Sequence, residues 1–381
     1  MTDIEASVAP PRTDFIDRLR VVLTVLVIVH HTAITYGASG GWFYREVTDG
    51  GAPSSLLLTL LTAVNQAFFM GMFFLIAGYF TPASWRKKGT ARYIGERLLR
   101  LGVPLLVFGF VLGPLSVALA GAPAGKPVLE RWTEMIARGS FVIGPLWFAL
   151  ALLLFALAWV AWSKVRGARA AAPVVSDDGV PSWRAWLIGA LGVGAAALLI
   201  RQAVPVGESV LGLQLGYFAS YVFLFAVGCR AAAGRWLERV TAEQAKGWGV
   251  VSLLTVPWLF VAAAFAGALE GKPVNFSGGL SLPAIVYAFW EPLVAWGIIA
   301  GLLHVFRTRF NRASERWSRW SNSAYGAFIV HAPVLVGLSV LAAGWHGPAL
   351  MKFAVIGAAS TVVSFWMAGW LRRAPGATRI L

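Results

Sequence analysis

The residues whose types and spacing carry chemistry lie on one apolar stretch, residues 17–37, DRLRVVLTVLVIVHHTAITYG. Arg20 and His31 are separated by ten residues. On a helix they fall within roughly 20° of one face and about 16 Å apart along the axis. His30 lies about 100° round the helix from His31. Inside a bilayer ionisable groups are costly, and by default they mark a functional site facing protein or water. A neutral imidazole is a suitable proton acceptor near physiological pH. It can also simply bond a neighbouring helix, a role that fits His30 better than His31. Glu291, just before Pro292, and His331, two residues before Pro333, are the other deep ionisable groups. Counted from the expected span ends, His31, Glu291 and His331 all fall in the middle of a roughly 30 Å apolar core. They are the candidate catalytic residues, with a helix-tying role left open for Glu291 and His331.

The elements that must position these groups are membrane helices. With 58% hydrophobic and 13% charged residues in 381, the composition excludes a soluble globular domain. Apolar runs predict an all-α polytopic membrane protein with about ten transmembrane helices. They fall near residues 17–37, 56–80, 98–120, 142–163, 184–203, 210–228, 247–268, 280–305, 323–344 and 350–371. Most of the 32 Lys and Arg residues lie in segments that alternate onto one side, which puts both termini in the cytoplasm. The expected organisation is a cytoplasmic tail over 1–16, a ten-helix membrane domain over 17–372 and a cytoplasmic tail over 373–381. The longest inner loop, near 164–184, contains Arg169, Pro173, Asp177, Asp178 and Pro181 and reads as a linker.

Other classes are disfavoured. The net charge of +15 is spread between apolar runs, so topology accounts for it and nucleic-acid binding is rejected. The single cysteine, Cys229, excludes an intrachain disulfide, and no Cys/His cluster has metal-ligand spacing, so no metal is expected. Acidic residues and two prolines near the N-terminus speak against a signal peptide. The Arg-, Ala- and Gly-rich composition suits a GC-rich bacterial genome, and the expected location is the bacterial inner membrane.

A second cluster sits at the inner face. Trp85, Arg86, Lys87, Lys88 and Arg92 lead to Arg97 and Arg100, which are three apart and share a helix face. Guanidinium groups there can bind phosphate by paired hydrogen bonds. Obedience to the positive-inside rule and contact with anionic lipid explain Lys87 and Lys88 better. Trp42, Tyr44, Trp132 and Trp345 near the outer ends fit an interfacial belt better than a sugar platform.

Several of these landmarks together resemble a known family. The spacing of Arg20 and His31 resembles the arginine, ten-residue gap, histidine motif of the acyltransferase-3 family of integral membrane acyltransferases. MFFLIAGYF, residues 72–80, resembles its second-helix signature with Ala77 in the usual serine position. RLLRLGVP, residues 97–104, resembles its RxxR motif with trailing proline. Leu146, Trp147 and Phe148 resemble its HLWF segment, with Pro145 where the histidine stands. Ser323, Ala324 and Tyr325, followed by His331, Ala332 and Pro333, resemble its late tyrosine and HxP segment. The RLLRLGVP form looks closest to the branch related to the periplasmic-glucan succinylation protein.

The resemblance implies a membrane O-acyltransferase. It would move an acyl group, acetyl or succinyl, from cytoplasmic acyl-CoA to a hydroxyl of an extracytoplasmic glycan or of a small hydroxylated metabolite. On motif position His31 would be the catalytic histidine, as base or transient acyl carrier, and Arg20, Arg97 and Arg100 would hold the CoA nucleotide. Acyl-CoA would be a co-substrate, with no permanently bound cofactor. The bilayer is the remaining partner. A proton-coupled carrier or flippase is the rival reading, from Glu291, His331 and the proline-broken helices.

Overall fold

The computed structural model describes residues 13–125, 127–167 and 179–381. Among them, ten helices are long and apolar enough to cross a membrane. They are α1 (Asp14–Thr35), α2 (Pro53–Lys88), α3 (Thr90–Ala120), α4 (Gly144–Val165), α5 (Trp183–Ala203), α6 (Leu215–Gly234), α7 (Ala242–Phe265), α8 (Leu282–Arg309), α9 (Glu315–Leu341) and α10 (Ala349–Leu371). The all-α, ten-span architecture expected from hydropathy is therefore present. Residues 1–12 of the expected tail, and Arg169, Pro173, Asp177 and Asp178 of the expected linker, lie outside the described residues. α1 begins at Asp14, with Phe15 and Ile16 already buried. α2 runs on through its basic end to Lys88, eight residues past the expected end of the span at 80, because Arg and Lys are good helix formers beyond the hydrocarbon. Beyond α10 the short helix Ala377–Ile380 returns to the Arg97–Arg100 end of α3.

α1 is the axis of the bundle and packs on α2, α8, α9 and α10. In its most apolar stretch 67% of residues are buried, as in α9, against 22% in α5 and 17% in α7. α1, α2, α8 and α9 thus form an interior group, and the others present apolar faces such as Leu253, Leu254 and Trp366 outward. That is the arrangement a lipid solvent permits.

Without water to drive helices together, close approach of small residues does much of the work. Gly78 of α2 faces the backbone of Phe225 and Cys229 in α6, and Gly228 of α6 faces the backbone of Leu75 and Tyr79 in α2. A side chain at either crossing meets peptide groups that cannot rotate away. Gly78→Val is expected to destabilise by about 1–3 kcal/mol or more. Gly192→Val, whose Cβ would meet nothing within 4 Å, is expected to stay within about 0.5 kcal/mol. Thermal unfolding of the two detergent-solubilised variants measures the difference, and equal stability would refute the account of the α2–α6 crossing.

Pro104 and Pro114 in α3 remove backbone donors, and groups from elsewhere in the chain replace them. α3 contains two π-helical turns, Leu98–Gly102 and Phe108–Leu112, just before Pro104 and Pro114. In the second, Gly113 bonds back to Phe108, and Pro114 has no N–H for Gly109. Val142 N–H fills that position at 2.8 Å. The Arg100 carbonyl, one turn before Pro104, instead accepts from the Tyr325 hydroxyl of α9 at 2.8 Å. This bond ties the RLLRLGVP segment to the helix that carries His331.

Candidate active site at the α1–α9 histidine pair

His31 and His331 meet. His31 Nδ1 lies 3.1 Å from His331 Nε2, and His331 Nδ1 lies 2.6 Å from the Phe328 carbonyl oxygen. That oxygen can only accept, so His331 carries its proton on Nδ1 and offers a lone pair at Nε2. His31 must then donate from Nδ1. In the neutral ring this leaves His31 Nε2 unprotonated, the form a general base needs. His331 is fully buried, whereas His31 is partly exposed and lines a cavity of about 590 Å³.

A third ring completes the stack. The Trp42 indole lies nearly parallel to the His31 imidazole, with centroids 3.8 Å apart and planes at 15°. Trp42 reaches it from the α1–α2 connection, which folds back over α1. Gly37 and Gly40 adopt φ of 128° and 139°, a region that side chains disfavour, and make that return possible. Glu46 and Val47 N–H then bond the Thr35 carbonyl at 2.9 and 3.2 Å, and Glu46 forms an ion pair with Lys352 of α10. Trp42 is therefore part of the site and not only an interfacial belt residue. A parallel ring fixes the imidazole plane. His30 stacks on Phe69 at 5.1 Å and lines the same cavity, which wraps round α1 far enough to meet both imidazoles.

Glu291 has another partner. It forms a buried ion pair with Arg201 at the end of α5, and the two side chains are 6% and 1% exposed. Arg201 Nε also donates to the Gly216 carbonyl at 3.0 Å, and its guanidinium lies over the rings of Tyr287 and Tyr217 at 4.9 and 5.6 Å. Tyr287 lies close to both Glu291 and Tyr217. The two tyrosines, with Tyr221 and Gln66, face the 590 Å³ cavity, and Gln66 Nε2 donates to the Tyr221 hydroxyl at 2.9 Å. Glu291 and Arg201 together hold a polar, uncharged section of the cavity wall.

The arginines gather at the opposite end of α1. Arg20 bonds Asp17 at 3.1 Å, keeps 39% of its side chain exposed and lies close enough to Arg97 and Arg100 to feel their charge. Arg97 stacks over Tyr93 at 5.0 Å. Arg100 is exposed, and its Nε donates to the Arg379 carbonyl in the returning C-terminal helix at 3.4 Å. α1 and α3 thus bring three arginines together at this end, a concentration of positive charge suited to an anion. Lys88 and Arg92, by contrast, are paired with Glu96.

Sequence reasoning missed Arg201 and the placement of Trp42. A buried Glu291 requires a cation, and an arginine at the same end of a neighbouring span was the available signal. Of the family landmarks, Phe74 packs on Trp147 and Phe148, with centroids 6.4 and 5.0 Å apart, beside the cavity. Pro145, at the histidine position, lines the cavity but supplies no proton donor.

Glucans biosynthesis protein C from Salmonella paratyphi B, and the proteins of that name from Salmonella heidelberg and Salmonella agona, are each 29% identical over 156 residues. The match covers 39% of this chain and 38% of theirs, well under half the length of those relatives. No solved structure matches the chain. Residues 13–369 match the model of a family described as an acyltransferase domain. The match takes in the histidine pair, the arginine cluster and all but the last turn of the bundle, and the chain belongs to the acyltransferase-3 family of membrane proteins.

Proposed function

We propose that the protein is an acyl-CoA-dependent O-acyltransferase of the bacterial inner membrane, transferring an acetyl or succinyl group to a hydroxyl of an extracytoplasmic glycan. The observation that carries this reading is the His31–His331 pair beside a cavity, with the His31 Nε2 lone pair left free. Family membership supports acyl transfer, and the glucan-related name of the matched relatives supports a carbohydrate acceptor.

In this scheme the acceptor hydroxyl gives its proton to His31 Nε2 as its oxygen attacks the thioester carbonyl. The C–S bond breaks, and the departing CoA thiolate takes the proton back from Nε2. Ester and free CoA are the products, and the imidazole is restored. His331 acts as a positioning residue, accepting from His31 Nδ1 while the ring is cationic, and Trp42 holds the ring plane. Glu291 acts one layer away through Tyr287 and Tyr217. A thioester is already activated, so orientation and exclusion of water supply most of what remains.

Arg20, Arg97 and Arg100 are the groups suited to the CoA phosphates, with the arginine end of the bundle in the cytoplasm. Along α1 between them and His31, Leu23 and Val27 are 0% and 1% exposed in the main core, so the pantetheine arm requires α1 and its neighbours to part. Charge-assisted hydrogen bonds are worth about 1.5–3 kcal/mol each. Arg97→Ala combined with Arg100→Ala is therefore expected to raise the KM for acyl-CoA by about 100-fold or more, with a much smaller change in kcat. Thiol-detected CoA release against donor concentration measures this, and an unchanged KM would remove these arginines from donor binding.

A further inference from the structure

The cavity beside His31 has a second wall that the acyl-transfer chemistry does not use. Away from the histidines it is bounded by Leu56 and Leu60 of α2 and by Leu259, Phe260 and Ala263 in the last turns of α7. Leu56 and Phe260 are also 52% and 50% exposed. The same side chains line the cavity and stand on the outer surface of the bundle. Leu60 is seven residues inside the start of α2 and Phe260 five before the end of α7, which places them roughly 10 Å and 8 Å below those ends. The expected apolar spans begin at 56 and end at 268, so both side chains also lie inside the apolar stretches, about 6 Å and 12 Å from those ends.

The window exists because α7 is broken. Its first helical segment ends at Thr255 and the next begins at Trp258, either side of Pro257. Phe260 and Val261 N–H turn to the Pro257 carbonyl, and the Val256 carbonyl accepts instead from Trp290 Nε1 of α8 at 3.3 Å. The last turns of α7 are thereby held against α8, and the space between them and α2 remains part of the cavity. Among the described residues, no Asp, Glu, Lys or Arg lines that cavity. An unpaired charge on a bound acceptor would meet no partner, at high cost, and the same cost favours acetyl over succinyl as the group transferred.

We infer that the acceptor is an uncharged hydroxylated molecule carrying an apolar tail, such as a neutral glycolipid, drawn from the bilayer through the window between α2 and α7. Its tail lies along Leu60 and Phe260, and its hydroxylated head reaches Gln66, the tyrosines and His31. A second opening at exposed Ser39, Gly41 and Gly207 leaves room for a larger head to extend into water. This rests on the acyl-transfer reading of the site, but its test does not need turnover.

The full chain in lipid nanodiscs is irradiated with dodecyl β-glucoside carrying a mid-chain diazirine, and labelled residues are mapped by mass spectrometry. Label is expected on the 56–60 and 259–263 peptides. With acetyl-CoA present, dodecyl β-glucoside is expected to be esterified faster than methyl β-glucoside, and Ala263→Trp is expected to lower the ratio of the two rates by about fivefold or more. Accumulation of the probe in lipid alone would leave that ratio unchanged. Absence of label at the window, or a ratio indifferent to Ala263→Trp, overturns the inference. Label at the window with no ester from either glucoside, using acetyl- or succinyl-CoA, leaves the window standing and counts against the acyl-transfer reading.

Discussion

His31→Ala is expected to lower acyl transfer by about 10²–10⁴-fold, the range that a positioned general base contributes, while the protein remains folded. The second half of that expectation follows from placement. His31 is at the cavity edge and only partly buried, so truncation enlarges a space that already exists. His331 differs, because its ring is fully buried and serves as acceptor for His31 Nδ1. Replacing it by leucine removes the group that fixes which His31 nitrogen is free. A loss of about 10–100-fold is expected, smaller than for the base itself but larger than packing alone would give. His331→Gln, which restores an oxygen acceptor of similar reach, is expected to recover part of the rate. Steady-state CoA release by the purified variants, with size-exclusion profiles as the folding control, decides this. Unreduced turnover in His31→Ala would remove that residue from the mechanism.

The second large effect is on stability. Glu291→Ala leaves Arg201 buried without its carboxylate, and breaking a buried pair from one side typically costs about 3–5 kcal/mol. The Arg201 guanidinium that lies over the Tyr287 and Tyr217 rings loses its anchor in the same step. Replacing both partners, Arg201→Met with Glu291→Leu, is expected to return most of the stability, because no uncompensated charge is left. Thermal unfolding of the single and double variants tests the pair. Catalysis separates the two roles available to Glu291. If it only supports the wall, the double variant keeps measurable turnover with a weakened acceptor KM. If it carries protons, the double variant is stable and inactive.

What was legible in the sequence follows from what hydropathy and spacing encode. The ten spans, and the common level of His31 and His331 that lets them meet, are one-dimensional properties, and counting residues along apolar runs recovers them. The common face of Arg20 and His31 is likewise fixed by helix geometry. Arg201 looked like an ordinary basic residue at a helix end because burial is set by neighbours, here Tyr217, Tyr287 and Gly216. Trp42 looked like a belt residue because only the fold-back at Gly37 and Gly40, secured by Glu46 and Lys352, brings it to His31. The prolines marked where α3 and α7 would depart from regular helix. They did not reveal that Tyr325, Val142 and Trp290 would supply the missing donors. The end of α2 was placed early because the loss of hydropathy marks the membrane boundary, and a helix of Arg and Lys continues past it.

The central claim is that an acyl group passes from CoA to a hydroxyl at His31. Its most direct test supplies ¹³C-labelled acetyl-CoA or succinyl-CoA to the protein in lipid nanodiscs, with a neutral glucan or dodecyl β-glucoside as acceptor, and follows products by mass spectrometry. The account predicts a labelled ester on the acceptor in one-to-one ratio with free CoA, absent in His31→Ala. Absence of labelled ester from the wild-type protein, with CoA-independent solute uptake driven by a pH gradient in liposomes, would contradict it.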